Sequence, residues 1–249
     1  MNTETLDKMR RMHLLGMHRA FKTSLESQGD TALTADELIA MLVDSEWDDR
    51  HNRAIERTVR NARFRYKATV EAVDYSLERG LDKNEFHRLA DGEFIRKREN
   101  LLITGATGTG KSFIASALGH QCCQLGFRVL YANATRLFTQ LKIAKADGSS
   151  IKELMKIEKQ DLLILDDFGI QPLDAASRSS LLDIIEDRHG KRSTIITSQL
   201  PVKQWYEVIG EKTVADAILD RLVHQSQRIE LRGESLRRKW KGKVMPENL

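Results

Sequence analysis

Apolar and polar residues follow two different periods along the chain, and the period changes near residue 100. Before about residue 67, apolar residues recur every three or four positions, as in amphipathic helices, and one such face is formed by Leu14, Met17, Phe21 and Leu25. From residue 100, short apolar runs alternate with helical stretches, which is typical of a parallel sheet covered on both faces. The sequence therefore predicts a small all-helical N-terminal domain (1–67), a connector (68–99) and an α/β domain (100–249).

Capping signals predict where the N-terminal helices begin. Thr34 and Glu37 have the spacing of a capping box, which predicts a second helix from that point. Ser45 and Asp48 repeat the spacing and predict a third helix, which should run to about Lys67.

The connector and the α/β domain continue with shorter elements. Residues 82–85 can cap a short helix that carries Phe86 and Leu89. The strands expected after it are Leu101–Thr104, Arg128–Ala132, Leu162–Asp166, Thr194–Thr197 and Arg228–Leu231. The helices expected between them are Ser112–Leu125, one from about Thr135, one ending near His189, and Val214–Val223.

Composition is that of an ordinary globular protein, with 31% charged and 41% hydrophobic residues in 249. No apolar run approaches the roughly 20 residues that span a bilayer, and the first residues lack the apolar core of a signal peptide, so a cytoplasmic location is expected. The adjacent Cys122 and Cys123 have neither a metal-ligand spacing nor that of a disulfide framework, so reduced thiols on a helix are expected.

Net charge is only +4, but basic residues concentrate in one stretch. Between positions 50 and 67 seven basic residues face the single acid Glu56. A charge run is usually a solvated helix face, but such faces normally mix signs. A surface that follows a phosphate backbone is the better interpretation, and it would bind nucleic acid without reading its sequence. The DNA contacts predicted on this basis are Arg50, Arg53, Arg57 and Arg60.

The strongest motif is G-x-x-x-x-G-K-S, which runs from Gly105 to Ser112 between an apolar strand and a helix. Glycines allow successive backbone N–H groups to point into one concavity, which attracts a polyphosphate together with the helix N-terminus. Lys111 would reach the β- and γ-phosphates, and the Ser112 hydroxyl would ligate Mg²⁺. The sequence predicts bound ATP and Mg²⁺. The nucleotide contacts predicted are Gly105, Ala106, Thr107, Gly108, Thr109, Gly110, Lys111, Ser112 and Phe113.

Two later strands end in polar residues that would complete such a site. Asp166 and Asp167 follow the apolar run from Leu162. Asp166 is expected to hold Mg²⁺ through water, and Asp167 to orient or deprotonate the water that attacks the γ-phosphate. The run from Thr194 ends in Thr197, Ser198 and Gln199, any of which could hydrogen-bond that water or the γ-phosphate.

Arginines matter in such chemistry because a guanidinium stabilises the charge on a transferring phosphoryl group. Arg221 and Arg237 are the candidates, and each is equally well explained as a surface ion pair.

Taken in order, the motifs resemble those of the DnaC/IstB-like branch of the AAA+ ATPases. The resemblance rests on G-A-T-G-T-G-K-S, L-L-I-L-D-D-F-G, T-I-I-T-S-Q, D-R-L and G-E-S-L-R. In the N-terminal part, L-L-G-M-H-R-A-F, L-T-A-D-E-L-I-A-M-L and the arginine-rich helix resemble the IstB family, the helper ATPases of two-gene insertion sequences. The likeness covers nearly the whole chain.

The resemblance implies an AAA+ fold, with the phosphate-loop strand central in a five-stranded parallel sheet. It also implies assembly of subunits around duplex DNA, ATP hydrolysis at subunit interfaces and stimulation of a partner transposase. Arg221 would then be the arginine finger that reaches a neighbour's site, and Arg237 the sensor arginine of its own subunit. Further DNA contacts are implied for Lys142, Lys145 and Lys152 around a flexible segment at 146–150, although a solvated loop explains these lysines as well.

One departure from the family's sequence pattern lowers the rate of ATP hydrolysis that we expect. Many AAA+ proteins have glutamate where this chain has Asp167, and the shorter side chain predicts slow hydrolysis, which suits a switch better than a motor.

Three other functions remain open at this stage. A replicative helicase loader of DnaC type would prefer single-stranded DNA. A small-molecule or nucleotide kinase would need an acceptor pocket and a lid, and would turn over without DNA. A non-catalytic architectural module would bind DNA without hydrolysing ATP.

Overall fold

The computed structural model describes residues 2–26, 33–75 and 79–236. The chain divides into two units, Met1–Arg57 and Thr58–Leu249. The division falls before the predicted boundary at residue 67, because residues 58–99 belong to the larger unit.

A five-stranded parallel sheet forms the centre of the larger unit. Its strands are β1 (Asn100–Gly105), β2 (Val129–Asn133), β3 (Leu162–Phe168), β4 (Ser193–Ser198) and β5 (Ser226–Leu231). They lie in the order β2-β3-β4-β1-β5, and each adjacent pair is parallel. The predicted α/β class and the five strands are confirmed. The strand before the phosphate loop, β1, is interior but not central, because β4 holds the middle position.

Helices cover this sheet. They are α4 (Lys83–Ala90), α5 (Glu93–Arg96), α6 (Lys111–Gln124), α7 (Ala134–Ala146), α8 (Ser150–Glu158), α9 (Ala175–Arg188), α10 (Trp205–Ile209) and α11 (Lys212–Val223). A single 3-10 turn, Val202–Gln204, precedes α10. The predicted flexible segment at 146–150 is a short turn between α7 and α8, in which Asp147 accepts hydrogen bonds from the backbone and hydroxyl of Ser149 (2.9 and 2.6 Å).

Successive side chains along each strand point to opposite faces of the sheet, so the core is divided between the two faces. In β3, Leu162 and Ile164 face one apolar cluster, while Leu163 and Leu165 face the other. Helices α4, α5 and α6 contribute to the first cluster, and α7 to α11 contribute to the second. Both faces are therefore covered, as the continuous apolar runs of the strands require.

The predicted connector is a packed part of the larger unit. Asp82 caps α4 by accepting a hydrogen bond from the N–H of Glu85 (2.7 Å), as predicted. Phe86 and Leu89 on that helix are fully buried against the same face of the sheet as α6. The two adjacent cysteines are buried on α6 as free thiols, and burial raises the pKa of each.

The smaller unit is helical, as predicted. It contains α1 (Asn2–Arg11), α2 (Leu15–Glu26) and the larger part of α3 (Ala35–Ala62). The capping box at the start of α3 is confirmed, because the N–H of Thr34 donates to Glu37 Oε2 (2.8 Å) and the N–H of Glu37 donates to Thr34 Oγ1 (3.3 Å).

The prediction of a separate third helix from Ser45 is wrong, since α3 passes through this position without a break. The hydroxyl of Ser45 donates to the carbonyl of Met41 one turn earlier (2.7 Å) and so caps nothing. The helix ends at Ala62 rather than Lys67, because Arg63 adopts a positive φ of 59°.

Glu46 on α3 joins the helices of the smaller unit. Its buried carboxylate accepts hydrogen bonds from the N–H groups of Gly16 (2.8 Å) and Met17 (3.3 Å), the first turn of α2. A carboxylate at this position satisfies N–H groups that have no partner within their helix. Gly16 permits the close approach, because a Cβ there would lie 2.2 Å from the carbonyl oxygen of Ser45.

Among the described residues, no helix is both long enough and apolar enough to span a bilayer.

Candidate active site

The loop between β1 and α6 has the backbone geometry of a phosphate cradle. Gly105 has a φ of 148°, and a Cβ there would lie 2.2 Å from the carbonyl oxygen of Leu231, so only glycine fits. Gly108 also has a positive φ, 83°, and a Cβ on it would collide with the side chain of Ser235. Ala106 and Thr107 at the tip are exposed, and α6 begins directly after Gly110, so its first N–H groups face the loop.

Lys111 lies inside this loop rather than on the surface. Its side chain is buried, and its ammonium donates to the carbonyl oxygens of Gly105 and Ala106, both at 2.8 Å. Thr109 tightens the same turn, because its hydroxyl donates to the carbonyl of Ala106 (2.9 Å). Phe113, the last predicted contact, packs against Tyr66 with ring centroids 6.2 Å apart.

Asp166 is the hub of the polar network beneath the loop. It is fully buried at the end of β3, and one carboxylate oxygen accepts hydrogen bonds from the hydroxyls of Ser112 (2.8 Å) and Thr197. The other oxygen accepts from the hydroxyl of Tyr131. Burial and the adjacent carboxylate of Asp166 raise the pKa of Tyr131, so the phenol stays protonated as a donor. Side chains from α6, β2 and β4 thus meet at the carboxylate of Asp166 on β3. Such convergence is expected where the carboxyl ends of parallel strands lie at one edge of a sheet.

An irregularity in β3 brings Asp167 to the same place. The pairing of β3 with β4 shifts between Leu165 and Phe168, and Asp167 has a φ of 60°. Consecutive strand residues normally point to opposite faces, but a bulge re-aims one of them. As a result, the carboxylates of Asp166 and Asp167 lie within 3.4 and 3.0 Å of the same guanidinium nitrogen, Nη1 of Arg65. The amide of Asn133 also donates to Asp167 (3.3 Å).

The three polar residues at the end of β4 differ in their surroundings. Thr197 is buried, and besides donating to Asp166 it accepts a hydrogen bond from the N–H of Asp167 (3.1 Å). Ser198 is also buried; it donates to the carbonyl of Phe168 (2.7 Å) and accepts from the N–H of Leu200 (3.1 Å). Gln199 is exposed. The hydroxyls of Thr197 and Ser198 are thus engaged within the protein, while Gln199 is exposed.

The site suits a Mg²⁺ ion shared with phosphates. Among the described residues no group of three or more His, Cys, Asp or Glu side chains could hold a metal by itself. Mg²⁺ in phosphate-transfer sites takes only one or two protein oxygens and keeps the rest for phosphates and water. Ser112 and Asp166, in direct contact at the foot of the loop, supply such a pair.

Arg221 lies at the other edge of the sheet. Its carbonyl oxygen accepts a hydrogen bond from the side chain of Asn100 (3.4 Å), at the beginning of β1. The phosphate loop follows the end of this strand, and five residues of rise separate the two by about 16 Å. The guanidinium of Arg221 pairs with Glu186 (3.2 Å) and is 30% exposed. The structure therefore does not bring Arg221 to its own nucleotide site. Arg237 lies outside the described residues.

The arginine-rich stretch is less uniformly basic than its sequence indicates. Arg50 pairs with Glu46 (2.7 Å), and Arg53 pairs with Asp49 (2.6 Å), one helical turn earlier in each case. The expected excess of positive charge is therefore partly neutralised at these two positions. Arg57 and Arg60 are exposed, as a phosphate-binding surface requires.

The three lysines predicted as DNA contacts on α7 and α8 are exposed, and Lys142 among them is in an ion pair. Lys142 pairs with Asp174, the N-cap of α9, at 2.7 Å, and this contact together with the N–H of Ser177 lowers the pKa of Asp174. Exposed ion pairs of this kind are weak, so the pairing leaves Lys142 able to exchange partners. Lys145 and Lys152 are exposed.

Several residues of the site were not found from the sequence. Tyr131 and Asn133 come from β2, and no motif marks them. Arg79 is another: it is buried and donates to the carbonyl of Thr109 in the phosphate loop (3.4 Å). Arg65 was counted only as one charge of the basic stretch, although the signal was available in the sequence Phe64-Arg65-Tyr66, an arginine between two aromatic residues.

Comparison with known proteins identifies the family. The family model described as IstB-like ATP binding protein matches residues 7–244. A relative from Sinorhizobium fredii named as insertion sequence ATP-binding protein y4pL is 47% identical over 234 residues, which cover 94% of this chain and 96% of that protein. The insertion sequence IS21 ATP-binding protein of Pseudomonas aeruginosa is 32% identical over 241 residues, which cover 97% and 90%.

Solved structures agree on the fold. The crystal structure of DnaI has a TM-score of 0.57 at 24% identity, and the match covers 67% of this chain and 92% of that chain. AMPPCP-bound DnaA from Aquifex aeolicus has a TM-score of 0.54 at 19% identity, with 71% and 55% covered. The sheet, the phosphate loop and these similarities establish an AAA+ fold. The chain belongs to the family of IstB-like ATP-binding proteins.

Proposed function

We propose that this protein is a Mg²⁺-dependent, DNA-stimulated ATPase that assembles on duplex DNA in its ATP form and directs a partner transposase. The observation that carries the proposal is the contact between Ser112 of the phosphate loop and Asp166, with Asp167 beside them. A hydrolytic nucleotide site needs this set of groups at one edge of a parallel sheet.

Within the site, each group has a distinct task. The loop N–H groups and Lys111 bind the phosphates, and for this the Lys111 ammonium exchanges its two loop carbonyls for phosphate oxygens. Asp167 accepts a hydrogen bond from the attacking water and orients it, while Gln199 contacts the same water or the γ-phosphate. Mg²⁺, held by Ser112 and Asp166, would neutralise charge on the phosphate oxygens.

The position of Arg221 supports assembly into oligomers. Its guanidinium is partly exposed at the edge of the sheet opposite the phosphate loop, so it can act only on a nucleotide bound by another subunit. An arginine supplied by a neighbour stabilises the transition state and ties hydrolysis to assembly.

The exposed basic residues support DNA binding. The names of the related proteins support a transposase as the partner. Of the four arginines predicted to contact DNA, Arg57 and Arg60 are the strongest candidates, because Arg50 and Arg53 pair with acids of the same helix. Contacts to phosphates give affinity that falls with salt and does not depend on sequence. The relatives are named as insertion sequence ATP-binding proteins, and this supports a transposase as the partner.

The test compares the unchanged protein with the variant Lys111→Ala. The control variant is Lys97→Ala, which removes an exposed lysine, the C-cap residue of α5. Nucleotide binding, ATP turnover and particle size are measured with ATP or ADP, with long duplex DNA, with single-stranded DNA and without DNA. We expect the unchanged protein and the control to form large complexes only with ATP and duplex DNA. Lys111→Ala should bind no ATP and stay unassembled.

Several outcomes would contradict the proposal. Particles of one size whatever the nucleotide would refute the assembly switch. A preference for single-stranded DNA would favour the helicase-loader function, and turnover unaffected by DNA would favour a kinase-like function.

A further inference from the structure

Arg65 is held beside the candidate catalytic carboxylates by the residues on either side of it. It lies three residues after the end of α3, in the larger unit. Phe64 packs edge-on against Tyr131 with ring centroids 6.3 Å apart, and Tyr66 packs against Phe113 of α6 at 6.2 Å. Two aromatic anchors therefore fix the segment to the sheet on one side and to the phosphate-loop helix on the other.

The guanidinium of Arg65 contacts both acids of β3 at once. Its Nη1 atom lies 3.4 Å from Oδ2 of Asp166 and 3.0 Å from Oδ2 of Asp167. Its guanidinium lies over the ring of Tyr66, with 5.5 Å from the guanidinium carbon to the ring centroid. The side chain of Arg65 is 42% exposed, and its guanidinium lies between the Tyr66 ring and the two carboxylates it contacts.

These contacts involve the atoms that hydrolysis needs. Asp166 has its Oδ1 atom engaged by Ser112 and Thr197, so its Oδ2 atom is shared between Tyr131 and Arg65. Asp167 has its Oδ2 atom engaged by Arg65 and by Asn133 (3.3 Å). A cation already paired with both carboxylates opposes the arrival of a second cation, and a carboxylate held in an ion pair is a weaker acceptor for water.

We propose that Arg65 is a restraint built into the subunit's own active site: its guanidinium holds Asp166 and Asp167 in an ion pair that must open before Mg²⁺ and the attacking water are engaged. Arg65 is a positioning residue in this scheme and takes no part in bond making. The proposal rests on the proposed ATPase function. It adds a regulatory element within the larger unit, three residues after the end of α3.

The experiment compares two variants that remove the charge of Arg65 with a control variant that removes the charge of Arg63. Arg65→Gln and Arg65→Met both abolish the ion pair, and the methionine keeps an unbranched apolar side chain in place of the arginine's alkyl part. Arg63→Gln is the matched control, because Arg63 is an exposed arginine two residues earlier in the same segment. Three quantities are measured on the full-length protein. They are the Mg²⁺ concentration that gives half-maximal binding of a fluorescent ATP analogue, and kcat and KM for ATP without DNA.

We expect both Arg65 variants to need about three- to five-fold less Mg²⁺ for half-maximal analogue binding, the size of a half-exposed ion pair. Their kcat without DNA should rise by about the same factor while KM at saturating Mg²⁺ stays within about two-fold, since the ground state binds the nucleotide as before. Stimulation by DNA should shrink accordingly. Arg63→Gln should match the unchanged protein.

Three results would overturn the restraint. A fall in kcat for both Arg65 variants would mean that the guanidinium assists the reaction. Unchanged Mg²⁺ dependence would mean that the ion pair does not compete with the metal. An equal effect of Arg63→Gln would assign the change to the general charge of the segment. Failure of the proposed ATPase function is distinguishable, because the Mg²⁺ dependence of analogue binding tests Arg65 even where no turnover is found.

Discussion

Replacing Thr197 by valine tests the buried network directly, because valine has nearly the same shape and lacks the hydroxyl. In the structure this hydroxyl donates to Asp166 and accepts from the N–H of Asp167 (3.1 Å), so one oxygen links both acids. The residue is fully buried, and water cannot replace the lost partner.

The expected loss in the free energy of unfolding follows from the two hydrogen bonds that Thr197→Val removes. A hydrogen bond to a charged group contributes about 1.5–3 kcal/mol, and the N–H left unpaired costs about 1–3 kcal/mol, with partial overlap between the two terms. A total near 3 kcal/mol is expected, and for a unit of about 190 residues each kcal/mol lowers Tm by about 2–4 °C. Thr197→Val should therefore melt about 6–12 °C lower. Turnover should fall by about ten-fold or more, because the acids lose their shared support.

The assay is thermal and urea unfolding of the full-length protein, followed by circular dichroism, with ATP turnover measured on the same samples. Thr197→Ser is the control, since it keeps the hydroxyl and removes one methyl group at a cost of about 1 kcal/mol. Should Thr197→Val prove as stable as Thr197→Ser, the hydroxyl bridge would contribute nothing and the reasoning would be refuted.

Three further predictions concern separate parts of the molecule. Gln199→Ala should leave Tm within about 1 °C, because the side chain is exposed, yet lower kcat by about ten-fold or more with ATP affinity retained; an unchanged kcat would remove Gln199 from the site. Arg221→Ala should bind ATP normally but not hydrolyse it, and mixing it with Lys111→Ala subunits, which still carry Arg221, should restore part of the turnover; no recovery in mixtures would argue against action between subunits. Burial opposes ionisation of Glu46, but hydrogen bonds from Arg50 and from the N–H groups at the start of α2 outweigh it and lower the pKa of Glu46. Its contribution is therefore present at neutral pH and lost as pH falls below the unfolded value of about 4.3, so hydrogen exchange in α2 should quicken there; Glu46→Gln should exchange faster at neutral pH and show less of this acid response.

Much of the active site could be predicted because it depends on local sequence and on one general rule. The glycine pattern fixes the loop, and the carboxyl ends of parallel strands meet at one edge of a sheet. This is why Ser112 and Asp166, 54 positions apart, were expected together and are found in contact at 2.8 Å. The Asp82 cap and the Thr34 capping box were predictable for the same reason, since each is a contact between residues three positions apart.

The wrong prediction of a helix start at Ser45 has a physical cause. The spacing of Ser45 and Asp48 is that of a cap, but no glycine or proline interrupts α3 there, so the helix continues and the Ser45 hydroxyl donates back to the carbonyl of Met41. The charge of the basic stretch is partly neutralised because Arg50 and Arg53 pair with acids four positions earlier, a pairing that helix geometry predicts.

Other features could not be read from a single sequence. The bulge at Asp167 arises from the pairing of β3 with β4, and no residue type marks it. The contact of Arg65 with the two acids, more than 100 positions away, depends on where the aromatic residues beside it dock. The bulge carries no local signature, and the aromatic residues beside Arg65 mark the segment in the sequence without indicating where it docks.

The separation of the phosphate loop and Arg221 at opposite edges of one sheet has a consequence for how copies of this protein can associate. A two-fold pair could join them only if both lay within one self-complementary patch, whereas a head-to-tail contact joins one end of a subunit to the other end of its neighbour. Joining unlike edges gives a chain of subunits that all point the same way, with a loop left open at one end and an arginine left unused at the other unless the series closes into a ring. Such a series has a direction along whatever it surrounds, and its two ends present different surfaces to the next protein that arrives.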